Sequence, residues 1–240
     1  MVLPLRNIDG VIAGLGVGGL LVPASRLENE PRRKRLSTGL AMLDASLGGG
    51  WPAASLGELA GRRSTGRTSV LYATLAAALA RGQAVALVEA AGAFDPRAAR
   101  AARVPIERLL WIRAGARTAL QAADLLLSAG GFGLIAIDMG ERPTRAPDSA
   151  WLRLRHAAER QGTSVLVVAP YRLTGATSTA AVVMHGGGPR FVDAGGPLFD
   201  ALETHIEIER NGRNSRTSPA PANDQTSALC FHSAGLATPR

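Results

Sequence analysis

From Leu36 onward, short apolar runs alternate with longer segments whose apolar residues recur at helical spacing. The stretch "STGLAMLDASLGGG" carries Leu40, Leu43 and Leu47 on one helical face, offers Ser37 or Thr38 as an N-cap, and ends in glycines that stop a helix. "SLGELAG" reads as a short strand running into Gly61. "TSVLYATLAAALARG" predicts a helix closed by Gly82, "AVALVEA" a buried strand, and "ALQAADLLLSAGG" a helix with a glycine stop. "LIAID" and "SVLVVAP" are further buried strands, and between them "DSAWLRLRHAAERQG" is a helix with an Asp or Ser cap. Apolar strands without in–out alternation are buried on both faces. Their alternation with helices predicts βαβ units and a mostly parallel sheet flanked by helices. Gly61, Asp138 and Pro170 fall at or just after strand ends, so they are expected along one sheet edge, where ligands of such sheets bind.

The pattern breaks at both ends. Residues 1–35 hold a glycine-rich apolar run, Val11–Val22, and then the charged stretch "RLENEPRRKR". The apolar run is far short of the ~20 residues that span a bilayer. It is expected to be an internal element or a docking segment, not an export signal or a membrane span. After Pro170, "YRLTGATSTAAVVMHGGGPRFVDAGG" reads as a hairpin or a long mobile loop, and "THIEIER" alternates like a half-exposed strand. From Asn211 the chain turns polar and proline-rich, as disordered linkers do, before a small apolar patch, "ALCFHSAGL". That patch either folds back on the core or docks elsewhere. Three parts result: an N-terminal segment 1–35, a core 36–210, and a polar tail 211–240.

Composition sharpens this picture. The 240 residues carry a net charge of +8, which favours a polyanionic partner, nucleic acid being the commonest. Lys34 is the only lysine, so arginine does nearly all the basic work. A single cysteine, Cys230, excludes a disulfide framework and a cysteine-based zinc site, and fits a reducing, cytoplasmic setting. His156, His185, His205 and His232 show no metal spacing, and Trp51, Trp111 and Trp151 are expected to pack in the core or at its edge.

The candidate chemistry lies in "GRRSTGRT", Gly61 to Thr68. A phosphate loop turns successive backbone N–H groups inward ahead of a helix, with glycines at the tight bends, a lysine reaching the phosphates and a hydroxyl on Mg²⁺. Gly61, Gly66 and Thr68 match that spacing, with Ser64 and Thr65 between the glycines. Arg67 stands where the lysine belongs. Its guanidinium is longer and planar, and is not expected to fit beside a phosphate as lysine does.

Several segments together resemble the RecA recombinase core: "LSTGLAMLDASLGGGWPAASLGELAGRRSTGRTS", "ALVEAAGAFDP" and "LIAID". The resemblance runs from about Leu36 to Arg210 and implies a RecA-like α/β P-loop core. It implies that Gly61, Ser64, Thr65, Gly66, Arg67 and Thr68 form the nucleotide loop, that Asp138 is the Walker B carboxylate, and that Asp95 lies near an adenine. The family's catalytic glutamate falls at Ala91 and its nucleotide-sensing glutamine at Pro170. Glu89 sits two residues before Ala91 on the same strand face, but is displaced by about 6–7 Å. Losing a general base typically costs ~10²–10⁴ in rate.

The chain is most similar to the ImuA group of RecA-like proteins, in its size, its altered loop and its polar tail. That resemblance implies a non-catalytic accessory role in damage-induced, error-prone translesion synthesis. The partners would be RecA and an ImuB-like protein, with DNA contact through Arg142, Arg145, Arg172 and Arg190, and self-association is compatible with it. No catalytic residue, no metal and no required cofactor are expected, although ATP with Mg²⁺ is the ligand such a loop would take. The alternatives are a DNA-dependent ATPase using Arg67 and Glu89, and a SulA-like inhibitor of cell division.

Overall fold

The computed structural model describes residues 34–143, 145–193, 196–211, 227–232 and 237–238. The chain divides into Met1–Arg33 and Lys34–Arg240. The apolar run Val11–Val22 and most of the basic cluster therefore lie outside the described residues.

Among the described residues the core is a nine-stranded sheet. Its parallel part contains β3 (Leu56–Gly61), β4 (Val85–Glu89), β5 (Leu109–Arg113), β6 (Leu134–Asp138) and β7 (Ser164–Ala169). Here β3 pairs with β7, β7 with β6, β6 with β4, and β4 with the edge strand β5. On its other side β3 pairs in parallel with β8 (Ala180–Asp193), which turns back as β9 (Pro197–Asn211). The glycine-rich region after Pro170 is thus a long hairpin, the first of the two forms its sequence allows. The strand β10 (Ser227–His232) pairs antiparallel with β9, and β11 (Ala237–Thr238) with β10. Part of the polar tail therefore adds to the sheet through "SALCFH". A small ladder of β1 (Arg35–Leu36) and β2 (Trp51–Pro52) brackets helix α1 (Ala41–Leu47).

Alternation within the central strands divides the core into two layers. Val85, Leu87, Leu134, Ala136, Leu166 and Val168 face one side, where they meet α1 and helix α2 (Arg67–Ala80) through Leu43, Leu71, Leu75 and Leu79. Ala86, Val88, Ile135, Ile137, Val165 and Val167 face the other. There they meet α4 (Ala119–Ala129) and α5 (Asp148–Gln161), which follow the short α3 (Pro96–Ala101). Trp51 and Trp151 are buried and Trp111 lies half-exposed on the edge strand, in keeping with packing roles. Each fully buried leucine contributes ~1.5–3 kcal/mol, so these two layers dominate the fold's stability.

Two helix starts differ from the sequence expectation. The N-cap of α1 is Leu40, without a side-chain cap. Ser37 and Thr38 instead bind Asp44: the Ser37 hydroxyl donates to one carboxylate oxygen at 2.5 Å and the Thr38 amide to the other at 2.7 Å. A carboxylate on the first turn thus holds the lead-in from below. Pro147 is the N-cap of α5, and Asp148 enters the first turn, where its charge favours the helix dipole.

Candidate functional site

The loop between β3 and α2 has the strand–loop–helix form its sequence implies. Ser64 (φ +59°) and Gly66 (φ +78°) are left-handed and bend the chain into the helix. Gly61 admits no side chain: a Cβ there would lie 2.6 Å from Thr65 Oγ1 and 3.0 Å from Met184 Cβ. The hairpin braces the loop from the side. The Thr204 hydroxyl of β9 donates to the Thr65 carbonyl at 2.9 Å, and the Thr65 hydroxyl donates to the Arg62 carbonyl at 2.8 Å. Ser64 and Thr68 are exposed, as are Arg62 and Arg63.

Arg67 is the first residue of α2, yet its side chain is only 9% exposed. One guanidinium nitrogen, Nη1, donates to the Gly61 carbonyl, and the other, Nη2, to Glu141 Oε1. Glu141 follows β6 and also lies 3.8 Å from the exposed Arg63. The residue in the lysine's place is therefore turned inward, with its charge paired.

Asp138 ends β6, and its carboxylate accepts the Gly140 amide at 2.9 Å. Burial pushes its carboxyl above the ordinary aspartate value. The Gly140 amide and Arg67 oppose that shift, and Glu89 and Glu141 reinforce it. Glu89 is the register partner of Asp138 across β4 and β6, so the two acids share a sheet face. Both oxygens of the Glu89 carboxylate hold structural hydrogen bonds. One oxygen accepts the Phe94 amide at 2.9 Å and the other the Trp111 indole N–H at 3.1 Å. Glu89 thus fastens the loop after β4 to the edge strand.

Beside it, Ala91 touches Gly140, where an added Cβ would lie 2.3 Å from that of Ala91. Asp95 caps α3 by accepting the Arg97 amide at 2.8 Å. The neighbouring Tyr72, Phe94 and Trp111 form a ring cluster, with centroids 5.8 and 4.9 Å apart. Burial raises the Tyr72 phenol above its ordinary value. Pro170 follows β7 at the same sheet edge.

The four candidate DNA-contacting arginines separate into two kinds. Arg142 and Arg145 are exposed on the segment after β6. Arg172 is built into the fold: it donates to Glu58 at 2.6 Å, and also to Glu209, the Gly175 carbonyl and Ser178. Arg190 pairs with Asp200 across the hairpin at 2.8 Å. The guanidiniums of Arg172 and Arg190 thus hold internal contacts.

Glu58 and Glu141 organise this edge, and neither stood out from the sequence. A signal for Glu58 was present, since an acid inside the apolar run "LGELAG" needs a buried cation. Among the described residues no group of three or more His, Cys, Asp or Glu could hold a metal ion. Among the same residues no helix is long and apolar enough to cross a membrane.

Comparison with known proteins agrees with this architecture. The RecA N-terminal domain family matches residues 15–142, more than half of the chain. Protein RecA of Clostridium acetobutylicum is 37% identical over 105 residues, which cover 43% of this chain and 30% of that protein. Protein RecA of Lactobacillus delbrueckii subsp. bulgaricus is 35% identical over 103 residues, covering 42% and 31%. The match thus spans about three-tenths of these relatives' length. The crystal structure of the RadB recombinase superposes with a TM-score of 0.62 at 16% identity, covering 85% of this chain and 99% of RadB, which shows a shared fold.

Proposed function

This chain belongs to the RecA N-terminal domain family, and from that membership we propose that it is a non-catalytic accessory protein of the DNA damage response. In this reading it supports error-prone translesion synthesis in the cytoplasm, as the ImuA group does, by docking RecA and an ImuB-like partner. It needs no cofactor. Direct DNA contact runs through Arg142 and Arg145, the two exposed members of the candidate set.

The observation that carries the proposal is the commitment of Arg67 to Gly61 and Glu141. A cation that stabilises charge developing on a phosphoryl group must aim its donors at that group. Arg67 aims them at the protein. The residues around it fit a hydrolytic ATP site no better. Ala91 offers no carboxylate, Pro170 offers no side-chain hydrogen bond, and each oxygen of Glu89 already holds a structural hydrogen bond. The residues present therefore do not fit a hydrolysable nucleotide. The ATPase alternative, which relies on Arg67 and Glu89, has both residues occupied elsewhere.

A cellular assay tests the reading. In a strain lacking the protein, Asp138→Asn should restore damage-induced mutagenesis to the wild-type level, because it keeps the acceptor for the Gly140 amide and removes the carboxylate charge that a Walker B role would need. Loss of mutagenesis with normal protein levels would count against a non-catalytic role. For DNA contact, single-strand affinity should fall with salt. Each of Arg142→Ala and Arg145→Ala should reduce the log–log slope by ~0.7. A slope untouched by both substitutions would remove DNA from the proposal.

A further inference from the structure

We infer that Glu141 is a built-in stand-in for phosphate: its carboxylate occupies Arg67, and a polyphosphate chain can take that place only by displacing it. The inference rests on the non-catalytic reading above and adds what keeps the loop silent.

Two residues after Asp138, Gly140 adopts φ +68° and packs against Ala91, which fixes where the next residue starts. From there Glu141 reaches across to Arg67, 74 positions earlier in the chain. The two partners are unequally held. Arg67 is nearly buried and tied to the end of β3, so its charge cannot turn to water without disturbing the loop. Glu141 is 32% exposed, and its other ion pair is to Arg63, whose side chain is 79% exposed. It can swing into solvent with little loss from that contact, since exposed pairs contribute little.

A buried guanidinium needs an anionic partner. Exchange of one anion for another meets that need, whereas removal of Glu141 alone does not. With Glu141 in place, an arriving phosphate meets a like charge and finds Arg67 Nη1 and Nη2 each already donating within the protein. Without it, the same arginine becomes a receiving group, on a loop whose exposed Arg62 and Arg63 carry further positive charge.

The test is calorimetric titration of the full chain with inorganic tripolyphosphate, which needs no base contacts. Wild type should bind weakly. Glu141→Gln keeps the shape, loses the charge, and should bind roughly ten- to a hundredfold more tightly, the worth of one charge-assisted hydrogen bond. The gain should vanish in the Glu141→Gln/Arg67→Ala double variant. Equal binding by wild type and Glu141→Gln overturns the inference, and so does a gain that survives loss of Arg67.

Should Glu141→Gln fail to fold, wild type alone decides. On addition of tripolyphosphate, the Arg67 guanidinium and Glu141 carboxyl NMR signals should move together. An Arg67 signal that stays still at saturation contradicts the inference. ATP turnover by the wild type would sink the non-catalytic reading. A silent wild type with an unchanged Glu141→Gln would sink only the stand-in.

Discussion

Replacing Glu58 by alanine should destabilise the protein by about 3–5 kcal/mol, the range for breaking a buried ion pair from one side. Glu58 lies on β3 with no solvent exposure. It accepts four hydrogen bonds, from the Leu173 and Thr174 amides, the Thr174 hydroxyl and Arg172. Arg172 survives the loss, because Glu209, the Gly175 carbonyl and Ser178 remain as acceptors. The Thr174 groups do not: the residue is buried, and each orphaned donor costs ~1–3 kcal/mol.

For a domain of this size each kcal/mol moves Tm by about 2–4 °C, so the expected fall is roughly 6–20 °C. Circular dichroism during heating, checked by urea titration with an unchanged m-value, reads it. Arg172→Ala should cost a similar amount, about 3–5 kcal/mol, because it leaves the unexposed Glu58 carboxylate without its cation. A Glu58→Ala variant within ~0.5 kcal/mol of wild type would refute the network, since that is the range of neutral surface substitutions. The result also bears on function. If the network holds, weaker DNA binding by Arg172→Ala reports a loosened fold, not a lost phosphate contact.

Gly140→Ala forces a side chain into a left-handed position against Ala91 and should cost about 1–3 kcal/mol. Adding Ala91→Gly should recover the steric part only, and full recovery or no recovery would each be inconsistent with the two causes. Asp138→Asn should be more stable than wild type at neutral pH. Burial raises the folded-state pKa of Asp138, so the folded protein holds that proton more tightly than the unfolded chain does. The ionised form therefore costs stability above the folded pKa. The cost is relieved as pH falls through that raised pKa toward the ordinary aspartate value, and the advantage of Asn should close over the same window. An advantage independent of pH would contradict the assignment.

The parallel core was legible because its strands are unbroken apolar runs and its helices end on glycines. "LLWIR" was not recognised as a strand: β5 lies at the sheet edge, and Leu110 and Trp111 are exposed there. "PRAARA" forms α3, but six residues are too few to show a helical period. The glycine spacing of the phosphate loop was readable because local backbone geometry demands it. The state of Arg67 was not, since its partner is 74 residues away, and the Arg172–Glu58 pair spans 114. Charge pairing over such distances follows from topology and leaves no local mark at Arg172, whereas the Arg190–Asp200 pair depends on the register of the hairpin. The cap of α1 differs because Asp44 claims Ser37 and Thr38, and that of α5 because the helix starts one residue earlier, placing Asp148 in its first turn after Pro147.

The most direct measurement is phosphate release by the purified protein with ATP and Mg²⁺, with and without single-stranded DNA, beside Asp138→Asn. The expected result is no release by the wild type above the Asp138→Asn level under either condition. Saturable, DNA-stimulated turnover that disappears in Asp138→Asn would contradict the non-catalytic reading and make Arg67 a working phosphate ligand.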